Sequence, residues 1–145
     1  MILFSSDLEL KLENKIIMNK LIIDVSGKKI FLMIITSNDI YNITKENTKI
    51  NYDKLTFIIN DFLNSRELTL KDISSIYLNR GPGSFAGIRN SLSVVKAFYL
   101  THKIDYFCFS FDDFKEEIDL KYQNIPRLCD KFKIEKNLIN PNYMG

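Results

Sequence analysis

The stretch Ile76–Leu100, IYLNRGPGSFAGIRNSLSVVKAFYL, decides how the chain is read. Its first residues, Ile76, Tyr77 and Leu78, make the short apolar run of a buried strand. The run breaks at Arg80-Gly81-Pro82-Gly83-Ser84, which has the composition of a turn. Beyond the turn, Phe85, Ile88, Leu92, Val95 and Tyr99 recur at steps of three and four and form one apolar stripe of a helix. Val94, Ala97 and Phe98 add a second apolar flank. A helix that is apolar over so much of its surface needs more than one neighbour.

A glycine turn in front of a helix invites a phosphate, because backbone N–H groups at a helix start attract anions. The residues here argue otherwise. There is no Gly-Lys-Ser/Thr, and the spacing Gly81, Gly83, Gly87 is one residue longer than G-x-G-x-x-G. Pro82 has no N–H to donate. The structural alternative is that Gly81 and Gly83 permit a sharp turn while Gly87 lets the helix lie close to a neighbour.

The run Asn-Arg-Gly-Pro-Gly-Ser-Phe-Ala-Gly-Ile-Arg at residues 79–89 closely resembles the G-R-G-P-G-S-F-T-G-L-R signature of the TsaB (YeaZ) family. As in that family, a helix follows, and then a strand that ends in Ser110-Phe111. Asn79 replaces the usual glycine and Ala86 the usual threonine. The resemblance implies an actin/Hsp70-like (ribonuclease H-like) α/β fold. It also implies a non-catalytic scaffold subunit that binds and stabilises TsaD in the complex making threonylcarbamoyladenosine beside the tRNA anticodon.

At 145 residues the chain is long enough for one domain that buries roughly two thirds of its unfolded surface. An apolar share of 46% and a charged share of 26% are ordinary globular values and argue against disorder. A net charge of +2, with lysines scattered among acids, does not make a nucleic-acid surface. Cys108 and Cys129 are too few for a disulfide framework, and Cys108 lies in an apolar run as a small buried hydrophobe. No run reaches the roughly 18 apolar residues of a membrane span. The N-terminus lacks the basic-then-apolar layout of a signal peptide, so a cytoplasmic, reducing location is expected.

Residues 1–17 mix apolar and charged types and read as lying upstream of the natural start at Met18, with an extra strand as the alternative. Leu21–Val25, Ile30–Ile35 and Ile40–Thr44 are strand runs joined by tight turns, which requires an antiparallel meander. Asn51 is a candidate N-cap for a helix whose apolar face is Leu55, Ile58, Ile59, Phe62 and Leu63. Ser75–Asn79 and Ile104–Phe111 flank the long helix, so both crossovers imply parallel pairing. The expected architecture is a mixed five-stranded sheet with two main helices. Residues 18–111 form the actin-like domain, and 112–145 are expected to be the remnant of a second domain plus a tail. Within that remnant, Phe114 to Ile118 and Pro126 to Phe132 read as brief helices. The ending Asn140-Pro141-Asn142-Tyr143-Met144 resembles the P-x-Y-L-R close of longer relatives.

No residue is assigned to catalysis, cofactor or metal. Ser84 has no histidine near it in sequence. Asn51-Tyr52-Asp53 stands where relatives often carry His-Ser-Glu. His102, the one histidine, sits at a helix C-terminus and favours the dipole there. Asp24, in Ile23-Asp24-Val25-Ser26, is expected to bond backbone in the next turn. Asp112-Asp113 and Glu116-Glu117 are expected to face water, and half a cleft encloses too little nucleotide.

The resemblance places a docking face for TsaD on the two helices, with Leu55, Ile59, Phe62, Phe85, Val94 and Phe98 as the expected interface. Of the long helix, Ile88, Leu92, Val95 and Tyr99 go to the core. The signature loop contributes Arg80, Gly81, Pro82, Gly83, Ser84, Gly87 and Arg89, the two arginines expected to pair with a carboxylate or a helix end. TsaE with ATP would engage the heterodimer, and tRNA would be met only through the complex, with no membrane contact. The alternatives are a homodimeric binding module using the same helices, or an ATP-dependent kinase or transferase of the actin-like superfamily.

Overall fold

The computed structural model describes residues 18–143, and the reading of residues 1–17 lies outside the described residues. Five strands form one mixed sheet in the order β3-β2-β1-β4-β5. They are β1 Asn19–Asp24, β2 Lys29–Ile35, β3 Ile40–Glu46, β4 Ile73–Asn79 and β5 Asp105–Phe109. The first three make the expected antiparallel meander, and β1–β4 and β4–β5 pair in parallel. Strand β1 is buried on both faces, which is why it reads as a nearly continuous apolar run rather than an alternation. At the edge, β3 alternates instead between half-buried and exposed residues.

Side chains of successive strand residues leave opposite faces of the sheet, and the core divides accordingly. Leu21, Ile23, Leu32, Ile34, Ile76 and Leu78 pack on one face against the helices. Ile22, Met33, Tyr77 and Phe109 point to the other.

The helical layer contains α1 Lys49–Asp53, α2 Leu55–Ser65 and α3 Phe85–His102. The helix expected from Asn51 is thus two pieces. Thr48, not Asn51, is the cap, its hydroxyl accepting from the Asn51 N–H at 3.3 Å. The break falls at Lys54, whose φ of −100° departs from helical geometry. Helix α2 buries Leu55, Ile58, Ile59, Phe62 and Leu63. Helix α3 starts at the Ser84 cap and ends at Lys103 in a left-handed conformation.

The second face is covered by the chain beyond Phe109. Phe114, Ile125, Leu128 and Cys129 bury themselves against Ile22, Met33, Tyr77 and Phe109. Helix α4, Ile125–Lys131, has Pro126 in its first turn, where a missing N–H costs nothing. The brief helix expected at Phe114–Ile118 is absent. A single 3₁₀ turn, Phe111–Asp113, is capped by Ser110, and Ile118 is 98% exposed with no face to bury. So the chain beyond Phe109 is a third layer of the fold, folded back as a cover.

Candidate functional site

The signature loop lies where the C-terminal ends of β1 and β4 stop side by side, since Ile23 pairs with Leu78 in parallel register. Asp24 follows on one strand and Asn79 on the other. The Asn79 amide donates to Asp24 Oδ2 at 3.0 Å, and its carbonyl oxygen accepts from the Gly81 N–H at 2.9 Å. Asn79, which replaces the usual glycine, therefore ties the loop to the first strand. Asp24 also accepts from the Ser26 N–H at 2.9 Å, as expected, and from the Ser26 hydroxyl at 2.5 Å. A further donor comes from the cover. The Tyr122 hydroxyl reaches Asp24 Oδ2 at 2.6 Å.

Burial raises the Tyr122 pKa above the ordinary phenol range, and the adjoining Asp24 carboxylate pushes it the same way. The phenol therefore stays a neutral donor. Its ring stacks on Phe31 with centroids 4.1 Å apart and meets Phe111 edge-on. These residues, with Lys28, Thr44, Pro82 and Asp112, line a cleft of about 610 Å³. It sits outside the carboxyl ends of parallel strands, the position where open α/β sheets place ligands. The cover contributes Phe111 and Tyr122 to the lining of the cleft. Among the described residues no group of three or more His, Cys, Asp or Glu side chains is placed to hold a metal.

The loop is a closing device rather than an anion cradle. The Ser84 N–H donates to the Ser26 carbonyl at 2.7 Å, and the Ile88 N–H to the Ser84 carbonyl at 2.9 Å. The Gly87 N–H goes to the Ser84 hydroxyl at 3.2 Å, so Ser84 caps the helix. With Gly81 N–H on Asn79 and Pro82 lacking one, these two loop positions offer the cleft no backbone donor. Gly87 allows the close approach expected of it, since a Cβ there would fall 2.2 Å from the Val25 carbonyl oxygen. Gly81, at φ +108°, would meet the Asn142 carbonyl oxygen at 2.1 Å. Gly83 faces the Ser26 carbonyl in the same way, and the Gly81–Pro82 peptide is cis.

Arg80 finds the carboxylate expected for it. Its guanidinium meets Asp113 at 2.8 Å and donates to the Asn140 carbonyl at 3.2 Å. Asp113 also accepts from the Ser110 N–H, and Glu117 pairs with Lys131 at 2.6 Å. So Asp113 and Glu117 are half-buried partners, unlike Asp112 and Glu116, which face water as expected. Arg89 is exposed and in no ion pair among the described residues.

The expected interface residues divide sharply. Leu55 and Ile59 are fully buried, and Phe62 and Phe98 are 3% and 4% exposed. All four belong to the chain's own core, so they do not face outward as expected. Val94 is half-buried and Phe85 is 57% exposed. Ile88, Leu92 and Val95 do enter the core, with Tyr99 packed at its margin. The large apolar side chains left exposed on the helices are Ile50, Phe57, Phe85 and Leu100.

A family model described as "TsaD: tRNA N6-adenosine threonylcarbamoyltransferase" matches residues 35–109, just over half of the chain. A curated relative, tRNA threonylcarbamoyladenosine biosynthesis protein TsaB of Buchnera aphidicola subsp. Schizaphis graminum, is 30% identical over 87 residues. That match covers 60% of this chain and 41% of the relative. The chain belongs to the TsaD-type family, and within it resembles the TsaB relative.

YeaZ from Pseudomonas aeruginosa superposes with a TM-score of 0.60 at 19% identity, covering 64% of this chain and 44% of that one. A second solved structure, titled an uncharacterized protein with similarity to peptidase YEAZ from Pseudomonas aeruginosa, gives the same score and identity over 43% of its chain. The likeness establishes the actin-like, ribonuclease H-like fold of the sheet and helix layer. The chain spans less than half the length of the TsaB and YeaZ relatives it matches.

Proposed function

We propose that the chain is a non-catalytic subunit in the synthesis of threonylcarbamoyladenosine in tRNA, and that it docks on TsaD through its helix layer. The observation that carries the docking is the apolar surface left over when the core is complete. Ile50, Phe57, Phe85 and Leu100 are 57–69% exposed on α1, α2 and α3 while the residues behind them are fully packed. Large apolar side chains left uncovered on a helical layer suit a protein partner. The TsaD-type match supports TsaD as that partner. TsaE with ATP would then meet the heterodimer, and tRNA would be reached through the complex. Residues 18–111 carry the docking domain, and 112–145 the reduced second part.

Support for the non-catalytic reading comes from how the polar groups are used. Asp24 accepts from Ser26, Asn79 and Tyr122, Ser84 caps a helix, and both thiols are buried. The cleft of about 610 Å³ favours a second reading, an ATP-dependent transferase or kinase. Against it, the cleft's central acid is already satisfied by protein donors. Reconstitution separates the two. With TsaD, TsaE, ATP, tRNA and an activated threonylcarbamoyl donor, adding the chain should raise modification severalfold, while the chain without TsaD should modify nothing. Modification by the chain alone, or no effect of adding it, contradicts the subunit reading.

A further inference from the structure

We propose that the groove between α3 and residues Ile139–Tyr143 receives an acidic helix of the protein partner, its two carboxylates seven residues apart meeting Arg89 and Lys96. This rests on the docking reading above and adds the chemistry that the partner must present.

The groove, about 220 Å³, has Leu92 and Ser93 as its floor and Ile139, Pro141 and Tyr143 as its far wall. That wall is fixed rather than loose. The Asn142 N–H donates to the Arg80 carbonyl at 2.8 Å, the Asn140 carbonyl accepts from the Arg80 guanidinium, and the Tyr143 ring packs on Phe85 at 4.5 Å. Arg89 and Lys96 stand on the helix side of the groove, both exposed and in no ion pair among the described residues. They are seven residues apart, so they rise about 10.5 Å along α3 at 1.5 Å per residue. A partner helix running alongside matches that rise with two acids at i and i+7. An apolar residue at i+3 then falls between them, over Leu92 and against Pro141. Arg89 suits a carboxylate because its planar fork donates in pairs.

A second copy of this chain fits poorly. Helix α3 carries no acid and α2 only Asp61, while Asp53 of α1 is already paired with Lys49. A phosphate backbone fits poorly as well, since two cations beside an apolar wall neutralise little of it.

The test measures TsaD affinity for the wild type, Arg89→Glu, Lys96→Glu and the double variant, at low and at physiological salt. Lys115→Glu, an exposed lysine on the cover, serves as control. Each single reversal should weaken TsaD binding about tenfold and the double more, with the salt dependence reduced and Lys115→Glu unchanged. Circular dichroism should show the variants folded. Unchanged TsaD affinity in the double variant overturns the inference and leaves the docking reading standing. A loss confined to self-association, or to binding of tRNA, also overturns it in favour of a second copy or a nucleic acid. Failure of the wild type to bind TsaD removes the docking reading and this inference together.

Discussion

Asp24 takes hydrogen bonds from Ser26, Asn79 and Tyr122, which lie 2, 55 and 98 positions away along the chain. Only the first of these was legible in the sequence, because an acid two residues before a turn bonds locally by habit. The other two depend on β1 and β4 ending side by side and on the cover folding back, which no local pattern encodes. Tyr122→Phe removes one donor from the buried Asp24 carboxylate and should lower the unfolding free energy by about 1–2 kcal/mol. Urea unfolding checks it, and an unchanged midpoint would show the bond to be without weight. The thiols offer a second test at this scale. Burial pushes both Cys108 and Cys129 from 9.0 up to about 12. Because the folded state holds these protons more tightly, the contribution to stability is full below pH 9.0 and is lost as pH rises toward about 12. Stability measured by denaturant should therefore fall between those values, and native thiols should resist a disulfide reagent at neutral pH. Rapid native reaction would contradict the burial.

Helix α3 illustrates what periodicity settles and what it leaves open. The stripe Ile88, Leu92, Val95 is core, as its length suggests. Phe98 sits three residues after Val95, so it shares that face, and the sheet together with α2 is wide enough to bury it as well. A helix packed against two elements buries a broad arc, and the stripe alone does not give the width of that arc. The outward positions include Phe85, Arg89, Lys96 and Leu100. Phe98→Ala should therefore cost about 3–5 kcal/mol of stability. Leu100→Asp should stay within about 0.5 kcal/mol, as surface changes do. Thermal or urea unfolding of the two variants decides the orientation of the helix, and equal effects would mean that it is misplaced.

For the molecule as a whole, the strands, their mixed pairing and the two-helix layer follow from turn lengths and apolar runs. The remnant expectation for the cover rests on the family resemblance, which fades beyond Phe111, and apolar residues there such as Phe114, Ile125 and Leu128 do not by themselves announce a core. They become core only because β1, β2, β4 and β5 leave Ile22, Met33, Tyr77 and Phe109 bare on the second face. Ending the chain at Ser110 should therefore expose that face and abolish cooperative unfolding. A sharp transition and no dye binding by the shortened chain would show the cover to be dispensable.

Whether the helix layer is a docking face is best settled by titrating TsaD with the wild type, Phe57→Asp and Leu100→Asp. A standard protein interface implies a one-to-one complex with a Kd of about 1 µM or tighter for the wild type. Both variants should lose at least about tenfold in affinity, because an unpaired charge would be carried into the contact, yet keep the wild-type thermal midpoint. No complex with the wild type, or wild-type affinity in both variants, would contradict the account.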